Sequence, residues 1–160
     1  MMRMNKKLHA ALTENGLFSA LGNLLMYGRC RRAARRFADR VELKGELLLY
    51  DAPSGSRKSG SGGRKANLSL TDAETAHNEI LVSDIMSCPD RFRPLRAFML
   101  FSACAKELDK KLAGTPFELV LYFDGGSAGT LRLYRVRVDD PSWLSDNIDA
   151  YSEPIAVYRN

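Results

Sequence analysis

From Gly28 to Val41 apolar and charged positions alternate with a helical period. At 100° per residue Cys30, Ala34, Phe37 and Val41 fall within about 60° of one another. Arg29, Arg31, Arg32, Arg35, Arg36 and Arg40 spread over the opposite half, so the spacing predicts an amphipathic helix with an arginine back. Upstream, Leu8, Ala11 and Leu12 suit a short helix over residues 4–12, stopped by Asn15 and Gly16. Leu17, Leu21, Leu24 and Leu25 repeat at helical spacing through Tyr27, and Gly28 separates or kinks that segment from the arginine helix. Phe98, Phe101, Ala105, Leu108 and Leu112 recur at three and four, predicting a long central helix over residues 95–112. Lys110 and Lys111 lie near its negative end, and Gly114 follows it.

Strand-like runs occupy residues 43–50, 117–123, 131–138 and 155–158. The turn-forming stretch from Asp124 to Gly129 predicts that the second and third form an antiparallel hairpin. Arg132, Arg135 and Arg137 interrupt the apolar pattern of 131–138, so part of that strand is expected to meet solvent or a partner. Between these runs, Thr71-Asp72-Ala73-Glu74 fits the S/T-x-x-E capping box and predicts a short helix, followed by a strand at Ile80, Leu81 and Val82. Pro89 and Pro94 bracket a turn. Pro141 and Ser142 open another predicted helix, carrying Trp143, Leu144, Ile148 and Tyr151. These elements make an α+β fold: N-terminal helices and one long central helix packed on an antiparallel sheet of the 43–50, 117–123, 131–138 and 155–158 strands.

With 160 residues, 45% of them hydrophobic and 27% charged, the chain is sized and composed for a single globular domain rather than a disordered one. The exception is a Gly/Ser-rich basic loop at about residues 52–66, whose composition cannot offset its ordering entropy and predicts flexibility. Charge is unevenly divided. Residues 1–65 hold 14 Lys and Arg against 5 acids, and residues 66–160 hold 10 against 14. A basic side and a mildly acidic side follow, and Lys58, Arg64 and Lys65 of the loop extend the basic one.

The three cysteines, Cys30, Cys88 and Cys104, form no C-x-x-C pair, which suits buried thiols in a reducing compartment. Thr13, Glu14, Asn15 and Gly16 break the N-terminal apolar run, and no run approaches a membrane span, so the expectation is a cytoplasmic protein.

Familiar catalytic patterns fail at specific positions. His77-Asn78-Glu79 matches H-x-E of the zinc deaminases, but Cys88 precedes Pro89 and position 91 is Arg, so a required ligand is missing. No Gly-Lys-Ser/Thr follows the glycines of the loop, and G-x-G-x-x-G is absent. Cys104 reads as core, and neither His9 nor His77 stands in a recognisable pairing with a nucleophile. Asp139, Asp140, Asp146, Asp149 and Glu153 could gather around a cation, although solvated helix-terminal acids are the commoner outcome. No metal or cofactor is expected.

The arginine helix remains. As a solvated helix back it would draw on Asp39, but one acid cannot pair six arginines, and arginine's planar fork favours recognition of carboxylate or phosphate. Arg29, Arg31, Arg32, Arg35, Arg36, Arg40, Lys58, Arg64 and Lys65 are therefore the candidate partner-binding residues. The expected function is that of a small non-enzymatic bacterial binding protein, of adaptor, inhibitor or toxin-immunity type, acting on an acidic macromolecule. A nucleic-acid-binding accessory protein using the same helix and loop is the alternative, and an enzyme of unrecognised type the third. A membrane surface ranks last, because Cys30, Ala34 and Phe37 are too small for strong insertion.

Overall fold

The computed structural model describes residues 1–14, 20–52, 69–87, 93–123, 129–140 and 142–160, and side chains of these except residues 14, 20–25 and 93. The fold is α+β. Strands β1 (Met2–Met4), β4 (Glu79–Leu81), β5 (Phe117–Tyr122), β6 (Thr130–Arg135) and β7 (Ile155–Arg159) form an antiparallel sheet in the order β1-β7-β5-β6-β4. Strands β2 (Val41–Lys44) and β3 (Leu47–Tyr50) form a separate two-stranded hairpin. The helices are α1 (Lys6–Glu14), α2 (Ala20–Asp39), α3 (Leu70–His77), α4 (Val82–Ile85) and α5 (Arg93–Lys111).

Alternation along the strands divides the large sheet into two apolar faces. Phe117, Leu119 and Leu121 of β5, with Leu131 and Leu133 of β6, join the core beneath α2 and α5. Val120, Tyr134, Ile155 and Val157 point the other way and are covered by Leu144 and Ile148 from the segment after β6.

Helix α2 is the arginine helix and runs unbroken through Gly28, so the expected separation of the leucine segment from it there is corrected. Its predicted apolar face is buried as the period requires: Cys30, Ala34, Phe37 and Val41 are each at most 1% exposed. Phe37 stacks on Tyr50 of β3 at 5.0 Å between ring centroids, which seats the helix on the hairpin. Lys111, at the end of α5, donates to the carbonyls of Ala38 and Asp39 at 2.9 Å each, closing the negative end of α2 with a cation.

Three further expectations are corrected. The 43–50 strand is a hairpin, because Gly45 takes φ +63° and opens a two-residue turn. It does not join the ladder of the large sheet. The capping box is displaced: Ser69 is the N-cap of α3 and accepts the amide of Asp72 at 3.0 Å, while Glu74 is fully buried and used elsewhere. The residues after Pro141 form bends and one 3-10 turn, Ile148–Ala150, in place of a helix. Pro94 lies inside the first turn of α5, where a missing N–H costs nothing, and the turn expected between Pro89 and Pro94 falls on residues outside the described ones. The loop of residues 53–66 and the connection 124–128 also lie outside the described residues.

Side chains join the hairpin to the large sheet. Glu74 Oε1 accepts the Leu48 amide of β3 at 2.5 Å, and Oε2 accepts the Arg135 amide of β6 at 2.8 Å. One turn on, Asn78 Oδ1 accepts the Tyr50 amide at 2.8 Å, and its Nδ2 donates to the carbonyls of Leu48 (2.7 Å) and Leu133 (2.8 Å). A carboxylate on α3 and an amide at its C-cap, four residues apart, thus replace ladder bonds between two strands that lie side by side but belong to different sheets.

Asn5 does comparable work at the N-terminus. Its Oδ1 accepts the amides of Leu8 and Ile155, both at 3.0 Å, and its Nδ2 donates to the carbonyl of Glu153 at 2.8 Å. The first of these bonds caps α1, and the others fasten it to the start of β7. Asn5→Ala should therefore cost about 2–3 kcal/mol in urea unfolding, beyond the loss of an ordinary cap. A cost under about 1 kcal/mol would show that the contacts to the β7 region contribute little.

Candidate functional site

The period that buries Cys30, Ala34 and Phe37 sends the arginines outward in two groups. Arg31 and Arg35 lie on the flank toward α5 and face Glu107, at 3.9 and 3.8 Å. Lys110, one turn after Glu107, joins them at 2.9 Å. Three cations thus surround one carboxylate. The Lys110 hydrogen bond, with the charges of Lys110, Arg35 and Arg31, holds the Glu107 carboxyl below its ordinary value against a partial desolvation that raises it. Asp39, the expected internal partner, forms no ion pair among the described residues, and Arg35 turns to Glu107 instead.

Arg29, Arg32 and Arg36 form the second group, within about 60° on the other flank of the outer face. All three are exposed, and none has a hydrogen bond or ion pair among the described residues. Arg40, just past the helix end, donates to the carbonyl of Asp51 at 3.3 Å. Lys58, Arg64 and Lys65 lie outside the described residues.

Between α2 and α5 the surface dips into a groove of about 430 Å³. Tyr27, Arg31, Ala103, Lys106, Glu107, Asp109 and Lys110 line it. Tyr27 is 44% exposed and Ala103 only 5%, so the aromatic ring is the accessible apolar part of the lining. Sequence reading missed the α5 side of this site. Its signal was present: positions 103, 106, 107 and 110 repeat at three and four on the polar edge of a helix whose other face is apolar.

The remaining candidates are occupied elsewhere. His77 is exposed at the end of α3, and Glu79 is paired with Arg132 at 3.0 Å, so the H-x-E residues do not converge. Arg132 lies over the rings of Trp143 (4.6 Å) and Tyr122 (5.3 Å), and Arg137 binds Glu74 at 2.7 Å. Both arginines are bound within the fold, while the 131–138 stretch meets solvent in part, as expected: Arg132, Arg135 and Arg137 are partly exposed and Val138 fully so. Cys104 is fully buried, and burial pushes its thiol far above the ordinary range, which suits core and not nucleophile. Cys88 lies outside the described residues. Of the late acids, Asp140 accepts both the amide and the hydroxyl of Thr71 at 2.7 Å, and Asp149 accepts the Lys6 amide at 2.9 Å. Among the described residues no three His, Cys, Asp or Glu side chains gather as a metal site. No helix among them is long and apolar enough to cross a membrane.

The position of Glu107 gives a pH prediction. A carboxyl held below its ordinary 4.5 stabilises the folded state above that pH, and the contribution fades as pH falls through the lowered value. Glu107→Gln should flatten the acid limb of a stability-against-pH curve and leave the slope above pH 6 unchanged. Superimposable acid limbs would contradict this assignment.

Comparison with known proteins finds no matching family model, no matching curated protein and no matching solved structure.

Proposed function

We propose that this chain is a small non-enzymatic cytoplasmic binding protein whose arginine face docks an acidic protein surface, in the manner of an adaptor, an inhibitor or a toxin-neutralising immunity protein. The observation that carries the reading is the second arginine group. Arg29, Arg32 and Arg36 are exposed side by side with no counter-charge among the described residues. Like charges at helical spacing repel, and an acidic partner removes that cost. The pairing of Arg31 and Arg35 with Glu107 strengthens the contrast, because the same helix does supply counter-ions where it packs on α5.

Two features favour a protein over a nucleic acid. Arg29 to Arg36 span about 10 Å of helix, a short track for a phosphate backbone, and Glu107 and Asp109 interrupt the cations beside it. Tyr27 adds a half-exposed aromatic ring next to Arg31, the type of anchor that dominates protein interfaces. An electrophoretic mobility shift with short DNA and RNA, single- and double-stranded, tests this choice. The expected result is weak retardation at low salt that vanishes at physiological salt. Micromolar binding that survives physiological salt would overturn the choice of a protein partner.

A further inference from the structure

We infer that the groove between α2 and α5 is an anchor socket for a bulky apolar side chain flanked by carboxylates on the partner, an inference that rests on the protein-binding reading above. The chemistry of the lining is part apolar and part charged. Ala103 is nearly closed off from solvent and Tyr27 is half-exposed, so these two give the groove its apolar lining. A volume of about 430 Å³ lies within the range of clefts that hold ligand-sized groups. The two acids of the lining are engaged from within the fold: Glu107 by Arg31, Arg35 and Lys110, and Asp109 by the hydroxyl of Tyr158.

An anion beside Glu107 and Asp109 would meet those two carboxylates, so the group that suits Tyr27 and Ala103 is apolar. The cations are the reverse. Arg31, Lys106 and Lys110 bring positive charge to the lining, and Lys106 has no partner among the described residues. Glu107 holds Arg31 and Lys110 in place before binding, which lowers the ordering cost of using them. A purely apolar occupant would leave the cations unused, and a purely acidic one would leave Tyr27 and Ala103 unused. The two together specify an acidic segment with one aromatic or large aliphatic anchor, the arrangement in which charge steers and a buried side chain holds.

The test uses two fluorescein-labelled peptides, Glu-Asp-Glu-Trp-Glu-Asp-Glu and the same peptide with Gly in place of Trp, in anisotropy titrations at low salt. Against the unmodified chain the Trp peptide should bind about tenfold or more tighter, and Tyr27→Ala should reduce the preference to under about threefold. Tyr27 is exposed, so its variant should keep the circular dichroism and melting temperature of the parent. Equal affinity for the two peptides, or a Trp preference that survives both Tyr27→Ala and Lys106→Glu, would overturn the socket. If both peptides bind equally and both are lost on Arg29→Glu/Arg32→Glu/Arg36→Glu, the socket fails while the arginine face stands. Binding of neither peptide would remove both.

Discussion

Glu74→Ala is expected to destabilise the fold by about 3–5 kcal/mol, as breaking a buried ion pair from one side does. The Glu74 side chain is fully buried and accepts from two main-chain amides and from both Nη atoms of Arg137, at 3.0 and 2.7 Å. Its removal leaves those amides without an acceptor in a place water does not reach. It also leaves Arg137, 14% exposed, with Asp140 at 3.7 Å as the nearest carboxylate. Domains of this size are stable by roughly 5–15 kcal/mol, so the variant should unfold at a much lower urea concentration or fail to fold. Glu74→Leu combined with Arg137→Met should be less damaging than Glu74→Ala alone, because the buried carboxylate and its main cation are then removed together. Urea midpoints for the three proteins check this. Glu74→Ala within about 1 kcal/mol of the parent would mean that the hairpin does not depend on this carboxylate.

Replacing Arg29, Arg32 and Arg36 together by Glu should lower partner affinity by about 100-fold or more, with the binding of the parent falling steeply with salt. Stability should stay within about 1 kcal/mol, since exposed positions away from special contacts change little. Arg31→Glu/Arg35→Glu provides the contrast. Those arginines serve Glu107, so their reversal places three carboxylates together and should lower the melting temperature as well as the affinity. A triple variant that keeps full affinity would place the contact elsewhere on the molecule.

The elements that the sequence made legible are those whose periodicity is local. The buried face of α2 follows from Cys30, Ala34, Phe37 and Val41, and α5 from five apolar residues at three and four. The β5 and β6 pair follows from two apolar runs joined by glycines. What sequence reading missed depends on partners far along the chain. Thr71 and Glu74 satisfy the capping pattern, but the pull on Glu74 comes from Arg137, sixty-three residues away, and from strand amides no motif encodes. The three residues of β1 are too few to show a period, and they exist as a strand because β7 offers them an edge. The same holds at the candidate site. The arginines were visible as a group, but their division into a paired and an unpaired set is made by Glu107, which belongs to a different helix. The basic loop residues Lys58, Arg64 and Lys65 remain expectations from composition alone.

The central claim is that the free arginines of α2 receive an acidic protein, and paired affinity isolation tests it most directly. The parent chain and the Arg29→Glu/Arg32→Glu/Arg36→Glu variant are each immobilised and exposed to nuclease-treated lysate of the source cells at physiological salt, and the retained proteins are identified and quantified. The prediction is one acidic protein, near-stoichiometric on the parent and at least about tenfold depleted on the variant. Equal retention by both chains, or retention on the parent that depends on omitting the nuclease, would contradict it.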